Sequence, residues 1–300
     1  MSLRGDCTPD LLSGAVRIGY LGPEGTFTHE AALRGSTKLA QAELVPLMTI
    51  FDVVSGVTDG SLELGVVPIE NSIEGSVSAT LDTLASGRAE VHIVAEQIHA
   101  IEQCLIAAEP TALSEIATVM SHPQASAQCA HFLHERLPWA QVVTTSSTAD
   151  AVRLVAERGR GWAALGPRLA AQRYGCALVA EGVEDRDGNA TRFVWLSPTA
   201  QDPRRATGEA GEGPHKTSFV FWGDGSGRPG WLVRCLAELS NRGVNMTRIE
   251  SRPLKQGLGR YMFFVDCEGA VSEPALAQAL AGLREHVEAL KVLGSYPAAA

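Results

Sequence analysis

The chain has 300 residues, of which 45% are hydrophobic, and this length favours two domains over one. Its formal net charge of -9 comes without any basic run, which argues against nucleic acid or an anionic membrane as a partner. No stretch approaches the roughly 18 consecutive apolar residues of a membrane helix, and the first residues lack the apolar segment of a secretory signal. We therefore predict a cytoplasmic protein.

The cysteines and histidines predict neither a disulfide framework nor a metal site. The six cysteines lie far apart without a CxxC pair, which is typical of reduced structural thiols. They are Cys7, Cys104, Cys129, Cys176, Cys235 and Cys267. His131 and His134 lack the HExxH pattern, so we predict that they lie on a helix surface.

The first two thirds of the chain predict an α/β fold. Short apolar, β-branched segments alternate with helical patterns from Arg17 onward, which favours largely parallel strands. The predicted strands are 17–22, 64–70, 116–122, 141–145, 161–166, 176–181 and 191–197. Residues 199–216 are rich in proline, glycine and charge and have no apolar period, so they predict an interdomain linker.

Beyond the linker the pattern predicts a smaller second domain. Its strands are 217–222, 244–253, 261–269 and 290–296, with a helix after the first strand and another after the third. This βαββαβ order is ferredoxin-like.

Three glycines at the start of this region resemble a nucleotide-binding fingerprint. Gly225, Gly227 and Gly230 spell GxGxxG, and Glu250 stands where the acidic residue of that fingerprint is expected. A dinucleotide-binding unit needs a helix after its second strand, whereas strand 244–253 is followed directly by another strand. We therefore interpret the glycines as a tight strand-to-helix turn.

Ligands of open α/β sheets bind outside the carboxyl ends of the strands, so polar strand ends mark the candidate site. In GPEGTFTHEAA (22–32), Thr26 or Thr28 caps a helix whose N–H groups are free to bind a carboxylate. Glu70, Asn71 and Ser72 stand in a row after an apolar strand. Each feature alone also fits an ordinary cap or turn.

The later strand ends are polar as well. In SHPQASAQC (121–129), Pro123 fits the first helical position, and Gln124 and Gln128 share one helix face near Ser121. Ser147 or Thr148 predicts another helix cap. Thr191 and Arg192 begin a strand, where threonine also occurs for its β-propensity alone. There is no GxSxG motif and no cysteine paired with a base, so a covalent nucleophile is not predicted.

The chain resembles prephenate dehydratases from about Arg17 to Tyr296. The resemblance rests on six segments in this order: GPEGTFTHEAA, PIENSIEGSV, SHPQASAQC, STADAV, NATRF and ESRP. The resemblance implies a catalytic domain at 16–198 with two lobes, like a type II periplasmic binding protein, and an ACT regulatory domain at 217–297. It places lobe 1 at about 16–95 and 177–198, and lobe 2 at about 96–176.

The implied reaction converts prephenate to phenylpyruvate, carbon dioxide and water. Because aromatisation drives it, a weak proton donor and a rigid site suffice, and no cofactor is expected. By resemblance Thr191 matches the family's proposed acid, and Asn71, Ser121, Gln128 and Glu70 complete the catalytic set. Thr26, Gln124, Thr148 and Arg192 are the implied substrate-binding residues. Because the implied substrate carries two carboxylates, we expect Arg192 or a helix N-terminus to neutralise them.

The resemblance also implies allosteric control by L-phenylalanine. The matching segments of the ACT domain consist of Gly230, Trp231 and Leu232, and of Glu250, Ser251, Arg252 and Pro253. The family commonly has a small alanine at the place of Trp231, so the indole either stacks on the ligand or fills part of its pocket. Such domains pair, which implies a homodimer or homotetramer. Two alternatives remain open, an arogenate dehydratase and a non-catalytic small-molecule sensor on the same fold.

Overall fold

The computed structural model describes residues 15–37, 39, 41–87, 89–201 and 213–299. Its strands are β1 (Val16–Leu21), β2 (Ala42–Leu47), β3 (Leu64–Asn71), β4 (Gly75–Ser76), β5 (His92–Ala100), β6 (Cys104–Ala107), β7 (Thr118–Ser121), β8 (Gln141–Thr144), β9 (Trp162–Gly166), β10 (Ala177–Glu181), β11 (Ala190–Ser197), β12 (His215–Trp222), β13 (Met246–Pro253), β14 (Tyr261–Glu268) and β15 (Ala289–Pro297). Its α-helices are α1 (Phe27–Ser36), α2 (Ile50–Thr58), α3 (Ser78–Ala85), α4 (Pro123–Gln128), α5 (Ala130–Arg136), α6 (Thr148–Arg158), α7 (Arg168–Tyr174), α8 (Trp231–Ser240) and α9 (Pro274–Arg284).

The first lobe is built on strands β5, β11, β3, β1 and β2, in that order. β1 is parallel to β2 and β3, but β11 is antiparallel to both β3 and β5. β1, β2, β3 and β5 thus run in one direction and β11 runs against them, so the sheet is mixed and the prediction of largely parallel strands fails at β11. The chain returns from the second lobe at the end of the sheet where β5 leaves it, since Ala190 pairs with Ala100, and β11 consequently runs against its neighbours.

The second lobe contains a five-stranded sheet in the order β10-β6-β9-β7-β8. β10 is antiparallel to β6, so residues 177–181, which we had predicted for lobe 1, belong to this lobe instead. The predicted start of lobe 2 at residue 96 is also early, because β5 stays in the first sheet as far as Ala100. Two adjacent crossovers connect the lobes, and Val183 N donates to Gln103 O at 3.0 Å between them.

Strands β2, β5 and β6 were missed by the sequence analysis. In β5 the apolar pattern is broken by Glu96 and His99, which are nevertheless only 9% and 2% exposed. Their partners come from distant parts of the chain, so a local pattern gives no sign that this polar strand is buried. β6 is only four residues long. β2 contains Pro46, and a proline within a segment argues against predicting a strand there.

The C-terminal region, residues 213–299, has the predicted βαββαβ order. Its antiparallel strands follow the order β13-β14-β12-β15, with α8 and α9 packed on one face. β13 turns directly into β14, which confirms the rejection of a dinucleotide-binding unit. β12 begins at His215, so the linker ends earlier than predicted, and residues 202–212 of that linker lie outside the described residues.

The glycine turn before α8 makes room for one side chain. A Cβ on Gly225 would lie 2.0 Å from Cδ1 of Trp231, and a Cβ on Gly223 would lie 3.2 Å from Cζ2 of the same ring. The indole packs against Phe221 and Phe263 and donates from Nε1 to the carbonyl of His286 at 2.7 Å. Gly223 and Gly225 thus permit close packing of Trp231.

The first lobe and the C-terminal region share one sheet and one core. β15 pairs with β5 in parallel at Gly294 and Ile93, and a Cβ on Gly294 would lie 2.1 Å from the carbonyl oxygen of Ile93. Residues of β12, β14 and β15 pack in the same buried cluster as residues of α2, α3, β3 and β11. The two predicted domains are thus joined by a continuous hydrophobic core.

The predictions for the cysteines and for the two histidines are confirmed. The described cysteines are unpaired, with Cys176 half-buried and the others buried, whereas Cys7 lies outside the described residues. His131 and His134 are exposed on α5. In the part of the chain that the structure describes, no helix has the length and apolar character needed to span a membrane.

Candidate active site

A cavity of about 410 Å³ lies between the two lobes. Its wall combines residues of the first lobe, the second lobe and a crossover. They are Leu21, Gly22, Thr26, Phe27, Thr28, Met48, Pro68, Asn71, Val77, Ile101, Gln103, His122, Gln124, Ala125, Gln128, Ser146, Ser147, Thr148, Thr191 and Phe193.

Strand ends supply much of this wall, as the sequence predicts. β1 and β3 end at Leu21 and Asn71, and His122 directly follows β7. Thr191 instead lies near the start of β11. It reaches the same edge because β11 is antiparallel to β3, which pairs Thr191 with Asn71.

An amide network centred on Asn71 organises the polar part of the wall. The Nδ2 group of Asn71 donates to Asn189 Oδ1 at 2.8 Å and to Thr191 Oγ1 at 3.0 Å. Asn189 in turn donates from Nδ2 to Gln128 Oε1 at 3.2 Å. Asn71 Oδ1 accepts the backbone N–H groups of Ile73 and Glu74, each at 3.0 Å, so its amide is fixed in orientation. The network links both lobes.

The Thr191 hydroxyl keeps its proton available. Among the described residues its hydrogen bond is with Asn71, and in that bond the threonine oxygen accepts. A hydroxyl has one donor and two acceptor positions. The O–H of Thr191 can therefore donate to a group in the cavity, while Asn71 holds the oxygen in place.

Helix N-termini provide the positive potential of the cavity. Thr26 caps α1 and accepts the backbone N–H of His29 at 3.2 Å, and Ser147 caps α6 and accepts the N–H of Asp150 at 3.0 Å. Both caps line the cavity, and His122 caps the short α4 beside them. Among the described residues of the wall there is no lysine, arginine, aspartate or glutamate. The helix N–H groups, the neutral side chains and His122 are thus the groups of the described wall that could bind an anion.

A hydrogen bond between His99 and Glu30 supports the aromatic part of the wall. His99 lies behind Phe27 and Phe193, with ring centroids 6.5 and 6.3 Å away. Its Nε2 atom lies 3.2 Å from Glu30 Oε2. The hydrogen bond with His99 holds the pKa of the Glu30 carboxyl below its usual range. The two phenylalanines are thus backed by a fixed polar contact.

Two predicted site residues lie on the other side of the sheet. Arg192 was predicted to bind substrate carboxylates, yet its guanidinium is buried against Glu70, Glu96 and Asp266. Glu70, predicted as catalytic, also faces this cluster. Neither residue lines the cavity. Both predictions are wrong in location, because alternate residues of a strand point to opposite faces.

Of the remaining predicted residues, most line the cavity and Ser121 lies behind its wall. Thr26, Gln124, Gln128 and Thr148 line the cavity with Asn71 and Thr191. Ser121 is fully buried behind the wall, and its hydroxyl has no partner among the described residues.

The sequence analysis missed Asn189 and Gln103. Asn189 stands two positions before Thr191 in the NATRF segment and is 3% exposed. The NATRF segment could have identified Asn189, but the sequence analysis selected only Thr191 and Arg192 from it. Gln103 lies in a crossover outside every predicted strand, and a local pattern gave no reason to select it.

The two predicted phenylalanine-binding segments do not meet within one chain. Gly230, Trp231 and Leu232 line a cavity of about 320 Å³ beside Tyr261 and Phe263. Glu250, Ser251, Arg252 and Pro253 lie on the edge strand β13 and are not part of that wall. The Arg252 guanidinium is held by Asp82 of α3, with nitrogen–oxygen distances of 3.1 and 2.9 Å.

Comparison with known proteins decides the family. The family model for prephenate dehydratase matches residues 18–201. A prephenate dehydratase of Mycobacterium sp. (strain JLS) is 40% identical over 290 residues, which cover 94% of this chain and 89% of that protein. The chain belongs to the prephenate dehydratase family.

Solved structures agree with this membership. A prephenate dehydratase from Arthrobacter aurescens in complex with L-Phe matches with a TM-score of 0.83 and 36% identity, covering 94% of this chain and 90% of that chain. GqqA, described as a novel type of quorum quenching acylase, matches with a TM-score of 0.79 and 30% identity, covering 94% and 98%. As a prephenate dehydratase, the chain is a lyase that converts prephenate to phenylpyruvate in L-phenylalanine biosynthesis.

Proposed function

We propose that dehydration of prephenate takes place in the cavity between the lobes and that Thr191 donates a hydrogen bond to the departing ring hydroxyl. The observation that carries this proposal is the Asn71–Thr191 contact, which leaves the threonine proton free to donate. A neutral alcohol is a weak acid, so Thr191 acts mainly by orienting and hydrogen-bonding the leaving oxygen. Loss of the ring carboxylate as carbon dioxide supplies the electrons for aromatisation.

The substrate carboxylates are bound by the N-termini of α1 and α6. The caps of both helices line the cavity, and the described part of the wall contains no lysine or arginine that would compete for this role. We expect KM to rise more than kcat falls when ionic strength is raised. An unchanged KM would show that the anions are shielded from solvent ions.

The preferred substrate is prephenate rather than arogenate. Arogenate carries an ammonium group where prephenate has a keto group, and an ammonium needs an anionic or strongly accepting partner. No carboxylate stands among the described residues of the wall. The test is kcat/KM for the two compounds under identical conditions. A higher value for arogenate would make the protein an arogenate dehydratase, and no turnover of either compound would favour a sensor.

We do not extend the acylase activity named for GqqA to this chain. Acyl transfer by a serine or threonine needs a neighbouring base that activates the hydroxyl. Among the described residues, no hydroxyl of the cavity wall is hydrogen-bonded to a histidine ring.

The C-terminal region acts as an ACT regulatory domain that binds L-phenylalanine. The likeness to a prephenate dehydratase in complex with L-Phe supports this, as does the cavity beside Gly230. Pairing of two chains would place β13 of one copy beside this cavity of the other, which favours a homodimer or homotetramer over a monomer. Trp231 is 5% exposed and belongs to the core, so it fills space rather than stacking openly on a ligand. The cytoplasm remains the expected location.

Calorimetric titration of the full-length protein with L-phenylalanine tests this regulatory role, with D-phenylalanine as the control. The full chain is required because the C-terminal region shares its core with the first lobe. We expect binding of the L enantiomer together with weaker substrate binding by a reciprocal factor. Absence of binding to the full-length chain would contradict the proposal, and sedimentation at the same concentrations measures the oligomer size.

A further inference from the structure

Six charged side chains form a group between the first lobe and the C-terminal region, with a buried centre and with Glu70 partly exposed at its margin. This group, the ionic cluster, consists of Glu70, Glu96, Arg192, Lys216, Arg248 and Asp266. The side chains of Glu96 and Asp266 are 0% and 4% exposed, and that of Arg192 is 7% exposed. Three positive and three negative groups balance each other, as buried charges require.

Arg192 lies at the centre of the cluster. Its Nε, Nη1 and Nη2 atoms lie 3.1 Å from Glu70, 3.0 Å from Glu96 and 2.6 Å from Asp266. These carboxylates come from β3, β5 and β14. Asp266 is held in turn by the hydroxyl of Ser218 at 2.6 Å. One planar guanidinium therefore ties two strands of the first lobe to the C-terminal region.

The cluster lies directly behind the amide network of the cavity. Glu70 precedes Asn71 on β3, and Arg192 follows Thr191 on β11, with Glu70 paired to Arg192 and Asn71 paired to Thr191. The ladder between these strands is irregular at this point, because its register shifts between Arg192 and Phe193. Pro68, on the opposing strand, has no N–H to donate. The ladder is therefore interrupted on the β3 side of Arg192, whereas β5 pairs with the start of β11 in regular register. The ion pair between Arg192 and Glu70 supplements the interrupted side.

We infer that Arg192 is a positioning residue for Thr191, and that Asp266 of the C-terminal region completes the cavity by fixing Arg192. The part of this inference that concerns turnover rests on the proposed role of Thr191. A displacement of β14 would move the guanidinium, and with it the hydroxyl one residue away. The C-terminal region thus has a direct physical contact through which a bound ligand can change the cavity.

Asp266→Asn in the full-length protein is the test, because it keeps the side-chain shape and removes the charge. The matched control is Asp82→Asn, which breaks another ion pair between the first lobe and the C-terminal region, the one with Arg252, away from β3 and β11. Amide hydrogen exchange is followed in peptides covering 68–76 and 187–195. We expect faster exchange there in Asp266→Asn alone. Unchanged exchange, or equal changes in both variants, would overturn the inference.

Turnover separates positioning from general damage to the fold. Asp266→Asn should lower kcat about 100-fold with little change in KM, because a small misplacement of a reacting group has that effect. In a Thr191→Val background the same substitution should lower kcat no further. A loss by the same factor in both backgrounds would show that Asp266 acts on the whole enzyme and would refute the positioning role.

The exchange and turnover experiments remain decisive if Thr191 proves dispensable or if Asp266→Asn does not fold. If Thr191→Val alone retains normal kcat, the proposed role of Thr191 has failed, and the exchange experiment by itself decides whether Asp266 fixes the strand. If Asp266→Asn does not fold, Arg192→Lys replaces it, since lysine keeps the charge but lacks the planar fork. Normal exchange and normal kcat in that variant would again reject the inference.

Discussion

The two faces of strands β3 and β11 differ in their chemistry although they are built from adjacent residues. On the cavity face, Asn71 and Thr191 are neutral, and the threonine retains a donor for a ligand. On the other face, Glu70 and Arg192 are charged, and Arg192 is enclosed by carboxylates from three strands. The comparison shows how one pair of dipeptides supplies both a free hydrogen-bond donor and the rigid support behind it.

The electrostatics of the two faces differ for a physical reason. Burial by itself would raise the pKa of Asp266, but the guanidinium groups of Arg192 and Arg248 hold it below its ordinary value. Buried charges are stable only when paired in this way, which makes the ionic cluster intolerant of a missing member. The cavity has no such charges among its described wall residues, so its donors remain available to substrate.

The largest effect is expected on the cavity face from Thr191→Val, which keeps the shape and removes the hydroxyl. We expect kcat for phenylpyruvate formation to fall by roughly 10²- to 10⁴-fold with little change in KM. The control is Thr118→Val, since Thr118 is a buried threonine at the start of β7 that does not line the cavity. Near-normal kcat in Thr191→Val would remove the hydroxyl from the mechanism.

The opposite face is tested by Arg192→Leu. This change leaves Glu96 and Asp266 buried beside an apolar side chain, and we expect a loss of about 3–5 kcal/mol in the free energy of unfolding. Arg153→Leu is the comparison, because Arg153 is 43% exposed on α6 and also contacts two carboxylates. Its loss should cost about 0–1 kcal/mol. Urea denaturation measures both, and equal costs would contradict the difference between the faces.

Asn71→Asp should have a smaller effect on turnover than loss of the hydroxyl. A carboxylate still accepts the N–H groups of Ile73 and Glu74 but cannot donate to Asn189 or Thr191. We expect kcat to fall by about 10- to 100-fold, the effect of losing one or two buried hydrogen bonds. Asn241→Asp, at an exposed position after α8, serves as the control. A fully active Asn71→Asp would show that Thr191 needs no anchor.

The smallest effect concerns acid stability. The pKa of Asp266 lies below its ordinary value of 3.8 in the folded protein, so the unfolded chain binds this proton more readily. The stabilisation is complete above the ordinary value and is lost as pH falls through the lower folded-state pKa. Asp266→Asn should therefore show a shallower decline in unfolding free energy than wild type between about pH 5 and pH 3. Parallel declines would assign the acid sensitivity to other carboxylates.

Much of the cavity followed from local sequence. Polar residues after buried apolar strands predicted Asn71 and Thr148, and the capping side chains of Thr26 and Ser147 are where the motif pattern placed them. These features depend on residues close together in the chain, because a helix cap or a strand end is specified within a few positions. The glycine fingerprint was likewise rejected from the local order of strands.

Tertiary structure alone decided which face each charged residue occupies. Thr191 and Arg192 are neighbours in sequence, and only the pairing of β11 with β3 and β5 turns one toward the cavity and the other toward Asp266. The same long-range contacts buried the polar strand β5 and joined the C-terminal region to the first lobe at Gly294. The sequence by itself determined most of the elements, their order and the polar strand ends, but not strands β2, β5 and β6. Which residues meet depends on contacts between distant segments, and these form only when the whole chain has folded.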